Sequence, residues 1–256
     1  MSETKLLSRR DIKTFDFLSD RYLNLIKELT LSRFKLSEQS TFLGFLWTLL
    51  YPILSVLIFY MLFSSNIGSH VEHFGIYLFI GVISWNLFSN TTSRGLGSLM
   101  MTREILKNSS IPYEVVVVSE VLVRFISFIF EIFALFALLL LTGVGVQEMI
   151  LLLPFIILLE FMLAVSISFI LSCLNLFFSD IGYIWSLTLN IMFFTTPVFY
   201  DPIYLIPESV SWLYHLNPMA NIMYAFRDVT LYGRLPNMEM LGYTFLFCTI
   251  SFFASL

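Results

Sequence analysis

Residues 39–71 read QSTFLGFLWTLLYPILSVLIFYMLFSSNIGSHV and contain no Asp, Glu, Lys or Arg. A helix needs about 20 mostly apolar residues to cross about 30 Å of hydrocarbon, so this stretch is long enough to span a bilayer. The residues ahead of it are polar and charged and hold no early apolar core of a cleavable leader. The run therefore serves as both targeting signal and anchor. Further stretches free of those four residues follow at 73–93, 132–147, 161–179, 181–200 and 240–256.

These runs predict an all-α integral membrane protein with six transmembrane helices, at about 45–66, 75–98, 114–142, 148–177, 181–200 and 240–256. An N-terminal cytoplasmic segment, 1–44, precedes a membrane domain, 45–256. Leu18, Tyr22, Leu25, Ile26 and Leu29 recur at helical spacing, with Arg21, Lys27, Glu28 and Lys35 elsewhere, which predicts an amphipathic interfacial helix. Pro202, Pro207 and Pro218 divide 201–236 into short helices and turns. Such backbone is tolerated at membrane depth only when protein or water covers it, so a re-entrant segment before the last span is expected. A seventh span at 209–226 is the competing assignment.

Composition agrees with the runs. Of 256 residues, 58% are hydrophobic and 12% charged, where a soluble domain carries about 45–50% and about 25%. Mean hydropathy is +0.85, and 28 residues are Phe. An ordinary soluble enzyme, a coiled coil and a disordered chain are thereby disfavoured. The net charge of −4 offers no basic field for a nucleic-acid backbone. Cys173 and Cys248 both lie in apolar runs and read as thiols. His70, His73 and His215 lack metal-ligand spacing, and no metal site is expected.

Charge also orients the chain. Residues 1–44 hold eight lysines and arginines, and the 94–113 connection adds Arg94, Arg103 and Lys107. The loops at 64–74 and 142–148 have none, and 201–239 has only Arg227 and Arg234. Eleven against two puts the N-terminus in the cytoplasm, and six crossings return the C-terminus there.

Chemistry-bearing motifs are scarce. No lysine follows a glycine, so a Gly-rich phosphate loop ending in Lys is absent from the chain. No H-E-x-x-H, G-x-S-x-G or C-x-x-C occurs either, and no catalytic residue is assigned. In the third span Glu120, Arg124 and Glu131 fall within about 40° of one another on one helical face. Glu120 four residues before Arg124 is the favourable order for a helical ion pair. The cluster is either a structural pair facing other helices or a polar seam near a pathway, and Glu160 in the fourth span could meet the same face. The first and fifth spans are rich in aromatic residues, which suit lipid contact and equally suit stacking on sugar rings.

Five segments in order resemble the permease subunit of type-2 ATP-binding-cassette exporters, in the branch that exports polysaccharides and polyol phosphates. They are Leu43-Gly44-Phe45-Leu46-Trp47 running into Tyr51-Pro52; Gly81 to Ser89 (GVISWNLFS) with the connection ending at Ile111-Pro112; Asn175-Leu176-Phe177-Phe178-Ser179-Asp180-Ile181; Thr196-Pro197-Val198-Phe199-Tyr200; and Asn217-Pro218-Met219 with Arg227 beyond. The resemblance implies two paired copies, each seated on a separate ATPase subunit that binds ATP and Mg; the chain itself would be no enzyme and carry no cofactor. It makes the short helix near 99–112, with Arg103, Glu104, Ile105 and Lys107, the main coupling element, and Asp180 a smaller second contact. The stretch 201–236 would be a re-entrant cap on the outer side. The first and fifth spans would line the path, with Trp47, Tyr51, Tyr60, Phe63, Trp185, Phe193 and Tyr200 as lining candidates.

The implied cargo is a lipid-linked polysaccharide of O-antigen, capsule or teichoic-acid type, crossing the cytoplasmic (inner) membrane. An exporter of drugs or small lipids with the same fold, and an integral-membrane transferase using Glu120, Glu131 and Glu160, remain open alternatives. Two departures stand out: Ser179 occupies a position where the family has Arg, and the chain ends at Leu256 in an apolar run where the family continues into a basic tail.

Overall fold

The computed structural model describes residues 20–39, 46–66, 68–108, 111–202 and 212–255. The Leu43-Gly44-Phe45 segment, the basic residues ahead of Asp20, residues 203–211, the Ile105 side chain and Leu256 lie outside what it describes.

Helix α1 spans Asp20–Gln39, α2 Leu46–Phe63, α3 Phe74–Met101, α4 Arg103–Asn108 and α5 Tyr113–Leu141. A 3-10 turn, Glu148–Leu152, leads into α6, Leu153–Phe177. Then come α7 (Ile181–Thr195), α8 (Trp212–Leu216), α9 (Pro218–Arg227) and α10 (Met238–Ser255). The described residues contain no strand.

Each expected span coincides with a helix, and local chemistry sets the ends. Pro112 is extended at φ −65° and ψ 142° and opens α5, since the chain ahead of a helix cannot pair its first N–H groups. The fifth span, expected to reach residue 200, stops at Thr195, because Pro197 supplies no N–H and its ring disfavours helix at Thr196. The stretch 209–226 forms no single helix among the described residues. Asn217 is extended there, and its side-chain oxygen accepts from the N–H groups of Met219 at 3.0 Å and Ala220 at 3.4 Å, capping α9. One π-turn, Asp228–Tyr232, follows α9 and closes at Gly233. Gly233 has φ 63°, a left-handed conformation that favours glycine.

Among the described residues, four helical stretches are long and apolar enough to cross a membrane alone: Leu46–Phe63, Tyr113–Leu141, Glu148–Phe177 and Met238–Ser255. Helix α7 is apolar but has 15 residues, about 22 Å. Helix α3 is long but carries Asn86, Ser89, Asn90, Thr91, Thr92, Ser93 and Arg94 through its middle. These two helices depend most on neighbours.

Helix α3 is the axis of the bundle. It packs on α2, α5, α6, α7 and α9, and Phe74 through Phe88 are buried apart from Gly75, which is half-buried. Lipid tails are as apolar as leucine, so helices in a bilayer associate through close packing and polar contacts more than through exclusion of water. Small residues supply the close approach. A Cβ on Gly95 would sit 2.4 Å from Ser168 Cβ of α6. Polar clips reinforce it: Asn175 Nδ2 donates to Leu96 O at 3.1 Å, and Trp185 Nε1 to Thr92 Oγ1 at 3.2 Å. Helices α2, α7 and α10 carry the exposed apolar rim, with Met61, Tyr183 and Phe253 each more than two-thirds exposed.

Candidate functional site

Three helices leave a groove between them. Helix α2 contributes Tyr51, Ser55 and Phe59; α3 contributes Trp85, Asn86, Ser89, Asn90 and Ser93; α7 contributes Trp185, Ser186, Asn190 and Phe193. The cavity holds about 590 Å³. Its polar groups follow from helical spacing. Asn86, Ser89, Asn90 and Ser93 stand at i, i+3, i+4 and i+7, and Ser186 and Asn190 at i and i+4, so each set shares one face. Tyr51, Ser55 and Phe59 repeat every four residues on α2. The result is a wall of amides and hydroxyls interleaved with aromatic rings.

The rings are held by one another. Trp85 meets Phe193 edge-on with centroids 5.6 Å apart, and Phe59 lies 6.0 Å from Phe193 and 5.8 Å from Phe199. Of the seven aromatic lining candidates, Tyr51, Trp185 and Phe193 border this groove. The other four are elsewhere. Phe63 stacks on Phe199 at 5.0 Å, and Tyr60 lies 6.0 Å from Phe74. Trp47 is half exposed in the first turn of α2, and Tyr200 is buried with its hydroxyl donating to Phe194 O at 2.8 Å. Phe59 and Trp85 were not among the lining candidates, and the Ser/Asn face was not anticipated; the periodic Ser and Asn of α3 were the available signal.

Beyond the groove, toward the start of α3, lies a buried cation. Arg227 is 1% exposed. Its Nη1 donates to Pro197 O at 2.7 Å, and its Nη2 to Val198 O at 2.8 Å and Tyr77 O at 3.2 Å. The guanidinium carbon sits 3.4 Å over the Tyr77 ring. A Cβ on Gly81 would approach Val198 O to 2.3 Å and Arg227 Nη2 to 2.6 Å, so glycine alone fits. Asn217 Nδ2 donates to Thr196 Oγ1 at 3.0 Å, and Tyr77 hydroxyl to Tyr200 O at 2.8 Å. Gly81, Thr196-Pro197-Val198, Asn217 and Arg227, far apart in sequence, thus form one knot.

The charges of α5 are paired partly on other helices and partly within α5 itself. Glu120 accepts from Arg33 Nη1 of α1 at 2.7 Å and from Arg94 Nε of α3 at 3.2 Å, which corrects the expected same-helix partnership with Arg124. Arg33 also donates to Val116 O. Arg124 Nη2 lies 3.8 Å from Glu131, two turns along. Glu160 is fully buried and accepts from Ser84 Oγ at 2.9 Å. Glu120, Glu131 and Glu160 thus each have a different partner.

At the end of α3 opposite the Arg227 knot, α4 presents Arg103, Glu104 and Lys107 to the outside. Leu106 is tucked against the cluster of Leu99, Val116, Val117 and Val121. Asp180 is exposed beside the half-turn into α7, with Phe177, Phe178 and Tyr183 also exposed. Asn175 donates to Leu96 O, so this second patch is at the α4 end of α3. No group of three or more metal-ligating side chains occurs among the described residues.

The described family "ABC-2 type transporter" matches residues 24–231. Among curated proteins, the O-antigen export system permease protein RfbA of Myxococcus xanthus is 28% identical over 222 residues, covering 86% of this chain and 85% of the relative. Two proteins of the same description from Klebsiella pneumoniae are 27% and 28% identical over 213 residues, each covering 83% of this chain and 82% of the relative.

Proposed function

Since the chain belongs to the ABC-2 type transporter family, we propose that it is the permease subunit of an ATP-driven exporter, and that its cargo is a lipid-linked polysaccharide of O-antigen, capsule or teichoic-acid type, moved outward across the cytoplasmic membrane. The observation that carries the cargo assignment is the groove between α2, α3 and α7. A sugar ring has C–H faces that pack on aromatic rings and a rim of hydroxyls that pair with amides and hydroxyls. Trp85, Trp185, Phe193 and Tyr51 offer the first kind of contact, and Asn86, Ser89, Asn90, Ser186 and Asn190 the second. Many weak contacts of both kinds let a polymer advance without being trapped. A path for drugs or small lipids calls for fewer amides.

In this reading the chain forms six crossings with both termini cytoplasmic, and 201–236 caps the outer side. Two copies pair with α2 and α7 toward the path. The driving free energy comes from a separate ATPase that binds ATP and Mg. Helix α4, through Arg103, Glu104, Ile105 and Lys107, takes up the motion of that partner, and Asp180 adds a second contact. The bundles then shift as near-rigid bodies, because ATP binding favours one arrangement over the other.

The test is export of the lipid-linked glycan in proteoliposomes containing the chain and its ATPase. Replacing Asn86 and Asn190 together by Leu removes two polar contacts, each worth about 1 kcal/mol, and should slow export about tenfold or more at unchanged protein level. Unaltered export by that variant would rule out the groove as the path.

A further inference from the structure

The rings of the groove differ in how they are held. Tyr51, Trp85 and Trp185 each carry a polar atom, and among the described residues only that of Trp185 is hydrogen-bonded: its Nε1 donates to Thr92 Oγ1 at 3.2 Å. Thr92 is fully buried. Its own proton is committed elsewhere, because Oγ1 donates to Phe88 O at 2.9 Å, with Ser89 O at 3.2 Å. A hydroxyl has one proton and two lone pairs, so toward the indole Thr92 can only accept. The pairing has one direction, and burial keeps water from competing for it.

Helical spacing sets the rest of the anchor. Trp85, Phe88 and Thr92 stand at i, i+3 and i+7, so they share a stripe of α3 beside the Ser/Asn face. Trp185 of α7 lies against that stripe. Phe88 meets its ring edge-on with centroids 6.4 Å apart, while Thr92 holds its nitrogen. Contacts on two parts of one planar ring set both its place and its tilt. With the N–H given to Thr92, the indole has no donor left for the cavity it lines.

We propose that Thr92 is a positioning residue for the passage of glycan. It holds Trp185 at the tilt in which the ring packs on sugar C–H faces. It also takes the indole N–H out of the path, so that sugar hydroxyls meet ring carbon there and find their hydrogen bonds on Asn86, Asn190 and the serines. Without the hydroxyl the indole nitrogen loses its partner on α3, and the ring is free to turn. This assignment rests on the proposed function, with the groove as the path.

The test pairs two substitutions in the full chain together with its ATPase. Thr92→Val keeps the shape and removes the hydroxyl; Thr92→Ser keeps the hydroxyl and removes the methyl. In lipid nanodiscs, isotope labelling of the indole nitrogens gives NMR signals from the four tryptophans, and Trp185→Phe identifies the one from Trp185. Thr92→Val should shift that signal. In proteoliposomes it should raise the glycan concentration for half-maximal export about fivefold, the factor that one ordinary hydrogen bond is worth, with the maximal rate little changed. Thr92→Ser should match the parent in both. An indole signal unmoved by Thr92→Val, an equal loss in Thr92→Ser, or a lower maximal rate at unchanged half-saturation, as a mere clip between helices would give, would each overturn the proposal. Unaltered export by the Asn86 and Asn190 double variant removes the groove reading and this assignment with it. Slowed export there, with half-saturation unmoved by Thr92→Val, removes the assignment alone.

Discussion

The two ends of α3 handle buried charge in opposite ways. Near Met101, Glu120 is shared by Arg33 and Arg94, so one carboxylate ties α1, α3 and α5 through long side chains, and Arg94 is 41% exposed. Near Tyr77, Arg227 is wholly enclosed and held by three backbone carbonyls. Side-chain ion pairs can lengthen, swap or re-form as helices slide. A guanidinium gripped by main-chain oxygens has no such freedom, because moving it means moving the Thr196–Val198 backbone. The contrast sets re-formable side-chain pairs at the α4 end, which suit the coupling proposed for it, against a fixed shape at the Arg227 end.

Arg227 offers the sharpest way to break this contrast. Arg227→Leu strands three carbonyls and should cost about 3–5 kcal/mol, read as a large drop in thermal melting in detergent and loss of chain from the membrane. A melting temperature close to the parent's would deny the knot its structural role. Gly81→Val presses the same point from α3. The branched side chain would collide with Val198 O and the guanidinium, and overpacking of this kind costs about 1–3 kcal/mol.

Effects at the other end should be smaller. In a double-mutant cycle, Arg33→Gln and Glu120→Gln should show a coupling of about 1 kcal/mol, since the pair is mostly shielded from solvent yet not enclosed. Additive single effects would show that the two residues act independently. Reversing Arg103 and Lys107 to Glu should change stability by less than about 0.5 kcal/mol, because both are exposed. It should nevertheless weaken co-purification of the ATPase and its stimulation, and unchanged stimulation would remove α4 from the coupling path.

The helices were legible in the sequence because their signal is local. Apolar runs and the prolines at 112, 197 and 218 mark most helix ends within a few residues, and Pro197 was a local signal, not used, that the fifth span stops short of residue 200. The partners of Glu120 were not legible: Arg33 is 87 residues away, and no spacing rule reaches that far. Arg227 entered the sequence argument as a loop cation in an orientation count and as a family motif, and neither use discloses burial. The groove was half legible. Its aromatic residues stood out by number, but only the packed bundle separates Trp85 and Phe193, which face the cavity, from Tyr60 and Trp47, which do not. The Asn86–Ser93 face escaped notice because it sits inside a run defined only by lacking charge.

The most direct measurement places the purified chain in proteoliposomes with the lipid-linked glycan proposed as its cargo, with and without the ATPase, and follows phosphate release together with glycan arriving on the far side. The chain as an ATP-driven permease predicts neither signal from the chain alone and both, in step, once the ATPase is added. Phosphate release by the chain alone, or glycan transfer that proceeds without the ATPase, would contradict it.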